Sequence, residues 1–427
     1  MTKTRAVSLC VLAVLLGAAN AIGGPVAVRV ATFNVEDLRT DDLKNPNQPR
    51  VKTIVETIQR IHPNILFVNE IAYDEPGSPG YATGDERGLN GQRLADLASK
   101  PGVPAVKPIR YRAFMARSNT GIHSGYDLNH DGVVVDQPPT VPGAKPDGSP
   151  GEQTKEGRDY GNDCWGFGTF PGQYGMALLV DDRLEILTDQ VRTFRLLPWD
   201  YMPNALMPTV PPEDGAGPDA PATAWYEGEV GAKFRLSSKS HWDVPVKLPN
   251  GSVLHVLCSH PTPPAFDGPE GRNKRRNHDE IRFWADYISG AAYIVDDTWH
   301  AGGLERDANF VIVGDMNADP DEGSGIHDPI GLVLGTRGVG ADPHPTSEIE
   351  IEGLDPDDTS RFKLRVDYVL PSAGLGVRRT GVWREPPSGG KPAPSDHFPV
   401  WAEVVVPDAG VSADAARRLD SPPGRNP

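Results

Sequence analysis

The chain is poor in cysteine, poor in positive charge and without internal repeats. Three cysteines stand among its 427 residues, and one of them, Cys10, lies in an apolar leader. Only Cys164 and Cys258 remain for a single disulfide. Lys and Arg number 42 against 58 Asp and Glu, a formal charge of -16. Such a field opposes tight binding to polyanions, whose affinity rests on neutralising phosphates, although a local basic funnel is compatible with it. No amphipathic segment suited to a membrane surface is evident, and no stable membrane insertion is expected. Glycine and proline are abundant, at 46 and 43, which fits a loop-rich architecture better than a helical bundle.

Lys3 and Arg5 precede the small, apolar stretch Val7 to Ala19, and Ala19-Asn20-Ala21 offers a small-x-small cleavage site. Residues 1–21 read as a secretory signal peptide, with a mature start near Ile22 and a secreted or periplasmic destination. In that compartment a Cys164–Cys258 bridge is expected, tying the Asp163-Cys164-Trp165 loop to the strand before His260; two separately buried thiols are the alternative. Residues 22–406 are expected to form one large domain, and residues 407–427 a disordered polar tail.

Val26 to Asn34 is β-branched and reads as a first strand. Val51, Ile54, Val55, Ile58 and Ile61 recur at helical spacing until His62-Pro63-Asn64 stops them before a strand at Ile65 to Val68. Further strands are expected at Gly175 to Val180, Val253 to Leu257, Phe310 to Val313, Val366 to Leu370 and Val400 to Val406, with a helix over Asn277 to Ile294. Gly121 to Asn162 and Met202 to Thr223 interrupt the pattern as long insertions suited to binding loops.

Acid, amide and imidazole residues close many of these apolar runs. They are Asn34 and Glu36 in Ala-Thr-Phe-Asn-Val-Glu, Glu70 in Ile-Leu-Phe-Val-Asn-Glu, His260 in Leu-Cys-Ser-His, Asp315 and Asn317 in Gly-Asp-Met-Asn, Asp367 in Arg-Val-Asp-Tyr, and Asp396-His397 in Pro-Ser-Asp-His-Phe-Pro. Strands that stop at hard ligands gather distant residues at one sheet edge, where a divalent cation and a phosphate can be held.

In these motifs and their order, from about Val26 to Val406, the chain resembles the endonuclease/exonuclease/phosphatase superfamily, which includes pancreatic deoxyribonuclease, abasic-site endonucleases, neutral sphingomyelinases and inositol phosphatases. The resemblance implies an α/β fold: a four-layer sandwich of two packed mixed β-sheets flanked by helices, with long loop insertions. It also implies one or two Mg2+ or Mn2+ ions and a phosphate-ester substrate, nucleic acid among the candidates; no protein partner is inferable. By the same resemblance, Glu70 is a direct metal ligand, with Glu36 and Asp396 contributing. Asp315 activates water, Asn317 and Asn34 hold water and phosphate oxygens, His397 donates to phosphate under the guidance of Asp367, and His260 is a second phosphate-facing imidazole.

Gln173 and Tyr174 stand where relatives carry phosphate-facing residues and are expected at the substrate mouth. Arg272, Lys274, Arg275 and Arg276 form a basic run whose arginines would clamp anionic groups, or would simply be solvated. Asp127, Asn129, Asp131 and Gly132 have the alternating oxygens and turn glycine of a calcium loop. Pro138 replaces its final glutamate, so Asp136 would complete a structural Ca2+ site, or the segment is an ordinary Asx-rich turn. The competing functional reading is a noncatalytic, extracellular, calcium-dependent binding module on the same fold.

Overall fold

The computed structural model describes residues 24–45, 47–103, 106–210, 222–326, 328–391 and 393–408. The leader expected at residues 1–21, part of the insertion at 202–223 and nearly all of the tail from 407 lie outside the described residues.

Strand β1 (Val26–Leu38) turns Val28 and Val30 to one face and Ala31 and Phe33 to the other, and the helix Pro49–Ile61 carries the chain to the parallel strand β2 (Ile65–Ile71). Pro49 starts that helix at no hydrogen-bonding cost, and the Gln48 side chain accepts from Val51 N at 2.8 Å. His62 ends it in the left-handed region. The sheet is completed by β3 (Tyr111–Phe114), β4 (Met176–Asp181), β13 (Gly376–Val382) and β14 (Val400–Val406), in the order β13-β14-β1-β2-β4-β3.

The second sheet is built from β5 (Glu185–Ile186), β6 (Arg192–Thr193), β9 (His241–Lys247), β10 (Val253–Ser259), β11 (Asn309–Asp315) and β12 (Asp367–Pro371). Its order is β12-β11-β10-β9-β5, with β6 also on β9; β7 (Thr209–Val210) and β8 (Thr223–Ala224) form a separate pair. Both sheets follow one plan, a central parallel pair (β1 with β2, β10 with β11) between antiparallel neighbours. Parallel strands therefore end at the same edge where their antiparallel partners begin.

Valines, leucines and aromatic rings of the two inner faces, Phe67 and Trp242 among them, pack into one layer. The outer face of the first sheet is covered by Ile54, Ile58 and Leu94 of the helices Pro49–Ile61 and Asn90–Ala98; that of the second by Ile281, Trp284 and Tyr287 of the helix Arg272–Ile288. This is the four-layer α/β sandwich.

Several elements differ from the sequence reading, which gives no strand for β3, β9 or β13 and no helix at Asn90–Ala98. The long helix begins at Arg272 instead of Asn277, after a left-handed Gly271, and stops at Ile288 before the left-handed Gly290 instead of running to Ile294. Strand β9 escapes detection because Pro245 interrupts its pattern. A missing N–H is tolerated there because the neighbours on that side are only the two-residue strands β5 and β6.

The expected disulfide is absent: Cys164 and Cys258 are both free and buried. The alternation of β10 sends Cys258 into the inter-sheet layer beside Leu254 and Val256, whereas Cys164 follows the helix Lys155–Asn162 and directs its thiol to Tyr160 O at 3.3 Å. Burial pushes both thiols above their ordinary pKa. Denatured, unreduced protein is expected to take up iodoacetamide on both residues, while the native protein reacts slowly at either; mass spectrometry showing a Cys164–Cys258 peptide pair would contradict this arrangement.

Candidate functional site

The strand-end edge brings Asn34, Glu70 and Asp315 together across the two sheets. Asn34 Nδ2 donates to Glu70 Oε1 at 3.1 Å and to Asp315 Oδ2 at 3.0 Å. Its Oδ1 accepts from Glu36 N at 3.0 Å, and Asp37 N donates to Glu70 Oε2 at 3.1 Å. Glu36, Asp37, Glu70 and Asn317 have φ of 52°, 51°, 62° and 50°. A side chain in that region costs on the order of 1–3 kcal/mol, so four such residues at one edge mark a backbone held against its preference. Buried Arg50 supplies part of the hold, donating to the carbonyls of Val35, Glu36 and Pro394. Gly314, with φ of 148°, lets β11 close on β10: a Cβ there would meet Ser259 O at 1.9 Å.

The segment before β14 completes the edge. Ser395 Oγ donates to Asn34 O at 2.7 Å and accepts from His397 N at 3.1 Å, which fixes the imidazole over the mouth. His397 Nδ1 pairs with Asp367 Oδ2 at 2.8 Å, leaving Nε2 directed at Asp315 Oδ2, 3.7 Å away. His260 Nε2 stands 3.5 Å from the same oxygen. Asp315, Asp367 and His397 place donor atoms within 4.8 Å of one another.

Burial dominates the electrostatics. It raises Glu70 to about 7, reinforced by the negative charge of Asp396, and raises Asp367 to about 6 despite the opposing pull of His397. Burial alone would neutralise His397, but Asp367 and Asp315 hold it well above its ordinary value. His260 is held well below by burial and by the cationic Lys239 and His397. The two imidazoles are thus in opposite states at neutral pH, one a cationic donor and one neutral. The 3.5 Å approach of His260 to Asp315 is accordingly not an ion pair.

Glu36 is half-buried, its pKa raised by burial and by Asp396. Asn317 donates its backbone N–H to Asp315 Oδ1 at 2.8 Å and its side-chain amide to Pro261 O at 3.2 Å. Tyr174 lines a cavity of about 810 Å3 that opens at Glu70 and His260, between the helix Lys155–Asn162 and the first turn of Arg272–Ile288.

Other expectations change. Gln173 is fully buried, accepting from Thr169 and donating to Asp37 Oδ2 at 2.8 Å, so it braces the site from behind instead of facing substrate. The arginine run divides along the helix: Arg272 and Arg276 line the cavity and Arg275 does not. Arg276 gives its N–H groups to the carbonyls of Leu236, Trp165 and Arg235. The calcium-like segment closes on itself, with Asp127 accepting from Asp131 N and Gly132 N, and Asp131 accepting from Asn129 Nδ2 and Val133 N. That is Asx-turn bonding, and each carboxylate oxygen that accepts one N–H keeps a further lone pair, so the bonding is common to a plain turn and a calcium loop. Asp136 takes no part in these four bonds.

The sequence reading missed Lys239. It is buried, lines the cavity, donates to Pro261 O at 3.2 Å, and has a pKa lowered by burial against the pull of Glu280, Glu70 and Asp315. Its setting, Ser-Ser-Lys-Ser, gives no periodic or metal-ligand signal.

Two facing sheets with acids, amides and imidazoles at the shared edge define a phosphoesterase fold. The model of the endonuclease/exonuclease/phosphatase family matches residues 31–397, and the chain belongs to that family. Among solved structures it is similar to an endonuclease/exonuclease/phosphatase from Beutenbergia cavernae, at 17% identity and a TM-score of 0.48, covering 89% of this chain and 72% of that one. It is also similar to a family protein from Bacteroides thetaiotaomicron (13%, 0.44, 90% and 96%) and to the human Nocturnin catalytic domain (14%, 0.42, 89% and 93%). Comparison with curated proteins finds no match.

The raised pKa of Glu70 has a signed consequence. A carboxyl at about 7 when folded and near 4.5 when unfolded costs nothing below the lower value, and its cost grows through the interval and saturates above the upper one. Glu70→Gln is therefore expected to raise the Tm of chelator-treated protein by roughly 2 °C or more at pH 8 and very little at pH 4.5. It should also abolish any Tm increase that Mg2+ or Mn2+ gives the parent. Scanning fluorimetry reads both; a variant less stable than the parent at pH 8 contradicts the electrostatic account.

Proposed function

We propose that this protein is an exported, divalent-metal-dependent hydrolase of phosphate esters. The observation that carries the reading is the convergence on Asp315 Oδ2 of Asn34, His260 and His397, at 3.0, 3.5 and 3.7 Å, with Glu70 joined to the same Asn34 amide. The donor set fits a hard cation: Glu70 is half-buried at the edge with its pKa raised by desolvation and then by Asp396, while Asp367 Oδ1 is buried without a partner. Glu70 would hold the ion with Glu36 and Asp396 beside it, and Mg2+ or Mn2+ would polarise a phosphate oxygen and offset developing charge.

The chain's own groups divide the remaining work. Asp315, oriented through Asn34 Nδ2 and Asn317 N, takes the proton of the attacking water. His397, kept cationic and oriented by Asp367, donates through Nε2 to a phosphate oxygen as negative charge builds on it. Neutral His260, whose Nε2 lies 3.5 Å from the same Asp315 oxygen, offers a second hydrogen bond. Export rests on the leader at residues 1–21. Among the described residues no helix is long and apolar enough to cross a membrane.

The noncatalytic alternative is disfavoured by a specific observation: Asn34, Glu70, Asp315, Asn317, Asp367, Asp396 and His397 are all present, whereas a binding module has no need of the full set.

Hydrolysis of a bis-aryl phosphodiester, an aryl phosphomonoester and plasmid DNA, each with Mg2+, Mn2+, Ca2+ or chelator, tests the reading. Turnover of at least one substrate is expected with metal and none with chelator. Asp315→Asn and Glu70→Gln should each lower kcat at least ~100-fold with an unchanged circular dichroism spectrum. Near-parental kcat for either variant at saturating metal removes the assignment.

A further inference from the structure

The cavity beside Glu70 has a composition unlike the rest of the chain. Six of its 24 lining residues are aromatic (Phe167, Tyr174, Trp199, Tyr226, Phe234 and Phe266), against 7% in the whole sequence. Leu128 is its only branched aliphatic among the described residues. Five lining residues are basic, Lys155, Arg158, Lys239, Arg272 and Arg276, and two are acidic, Glu70 and Asp159, in a chain of formal charge -16. Part of the wall is already a stack, with Tyr226 and Phe234 at 4.1 Å and 15° and the Arg276 guanidinium 4.8 Å over Phe234. Phe167 and Phe266, by contrast, are 38% and 93% exposed and leave ring surface open.

An acyl chain is matched by branched aliphatic walls, a planar ring by aromatic and guanidinium faces. A space of about 810 Å3 is also of the size that encloses a small molecule. Resting on the phosphoesterase reading, we propose that the cavity seats the organic group of the ester that does not leave, and that this group is a planar aromatic ring, with Phe167 and Phe266 as specificity-determining residues. A nucleobase and a simple aryl ring share that chemistry.

The test holds the leaving group constant. Methyl, decyl, phenyl and thymidine 5′ esters of 4-nitrophenyl phosphate all release 4-nitrophenolate, so differences among them report the retained group. The phenyl or the thymidine ester is expected to show a KM about tenfold or more below that of the methyl ester, the better of the two identifying which kind of ring is seated. The decyl ester should not gain comparably. Phe167→Ala with Phe266→Ala, at exposed positions, should erase most of the aromatic advantage while leaving kcat/KM for the methyl ester within about twofold. Equal KM values for the methyl, phenyl and thymidine esters, a decyl gain matching the aromatic one, or an undiminished advantage in the double variant would each overturn the proposal. Calorimetric binding of diphenyl and dimethyl phosphate to the Asp315→Asn protein reads the cavity without turnover. If no ester is hydrolysed, the phosphoesterase reading fails by itself, while diphenyl phosphate binding no tighter than dimethyl phosphate would overturn the ring proposal.

Discussion

Buried negative charge that neighbouring cations do not fully offset is the constraint on which the edge of this fold depends. Glu70, Asp315 and Asp367 are brought together at the strand ends, with Glu36 and Asp396 adding charge, and burial makes the ionised forms of Glu36, Glu70 and Asp367 costly. One cationic imidazole and one shared amide, His397 and Asn34, compensate only in part. The backbone at the same edge is also held in left-handed conformations at Glu36, Asp37, Glu70 and Asn317. Neither cost helps the fold. Both are carried by the apolar layer between the sheets, in which each fully buried Val, Leu or Phe contributes about 1.5–3 kcal/mol. On the proposed function, a divalent cation at Glu70 would relieve the first cost and would couple metal affinity to stability at this residue.

The sheet topology explains why the charges meet where they do. Each sheet has a parallel pair between antiparallel neighbours, so Asn34, Glu70, His260 and Asp315 come from strands or turns that finish at the edge, whereas Asp367 and His397 come from segments that enter it. Contacts across the sheets then lock the register. Asn34 of β1 reaches Asp315 of β11, and Asn69 of β2 accepts from Asp315 N at 3.4 Å. A one-residue slip of β11 would turn Val313 and Asp315 together to the helix-covered outer face and bring Ile312 and Gly314 into the inter-sheet layer.

Much of this was legible in the sequence. The apolar runs at Ile65, Val253 and Phe310 carry three of the central strands, and the polar residue closing each of them, Glu70, His260 and Asp315, marks the edge, because such a group has no other inexpensive place at the end of a buried strand. The illegible parts share a physical cause, which is dependence on the partner rather than on local pattern. Strand β9 carries Pro245 and is recognised only through its pairing with β10. Lys239 sits in a serine-rich run and becomes a cavity residue only when the chain folds it against Pro261. The basic run beginning at Arg272 looks uniform in one dimension, but helical rotation sends Arg272 and Arg276 to the cavity and leaves Arg275 off it. Cys164 and Cys258 look pairable because the sequence does not state that β10 turns its cysteine inward.

The contrast between the chain's acidity and its basic, ring-lined cavity bears on how a substrate is chosen. A polyanion is bound along a surface by many phosphate contacts, and a chain of formal charge -16 supplies no favourable long-range field for that mode. An anion of small extent needs only the local potential of a concave site, where low-dielectric walls concentrate the field of a few cations. Buried Lys239 and Arg276, with Arg272 at the helix start, provide that potential next to Glu70 and His260. Under the proposed function, the cavity would favour a compact ester whose charge lies within one enclosure. On that reading, selectivity among such esters would reside in the helices and loops that build its walls, and not in the strand ends.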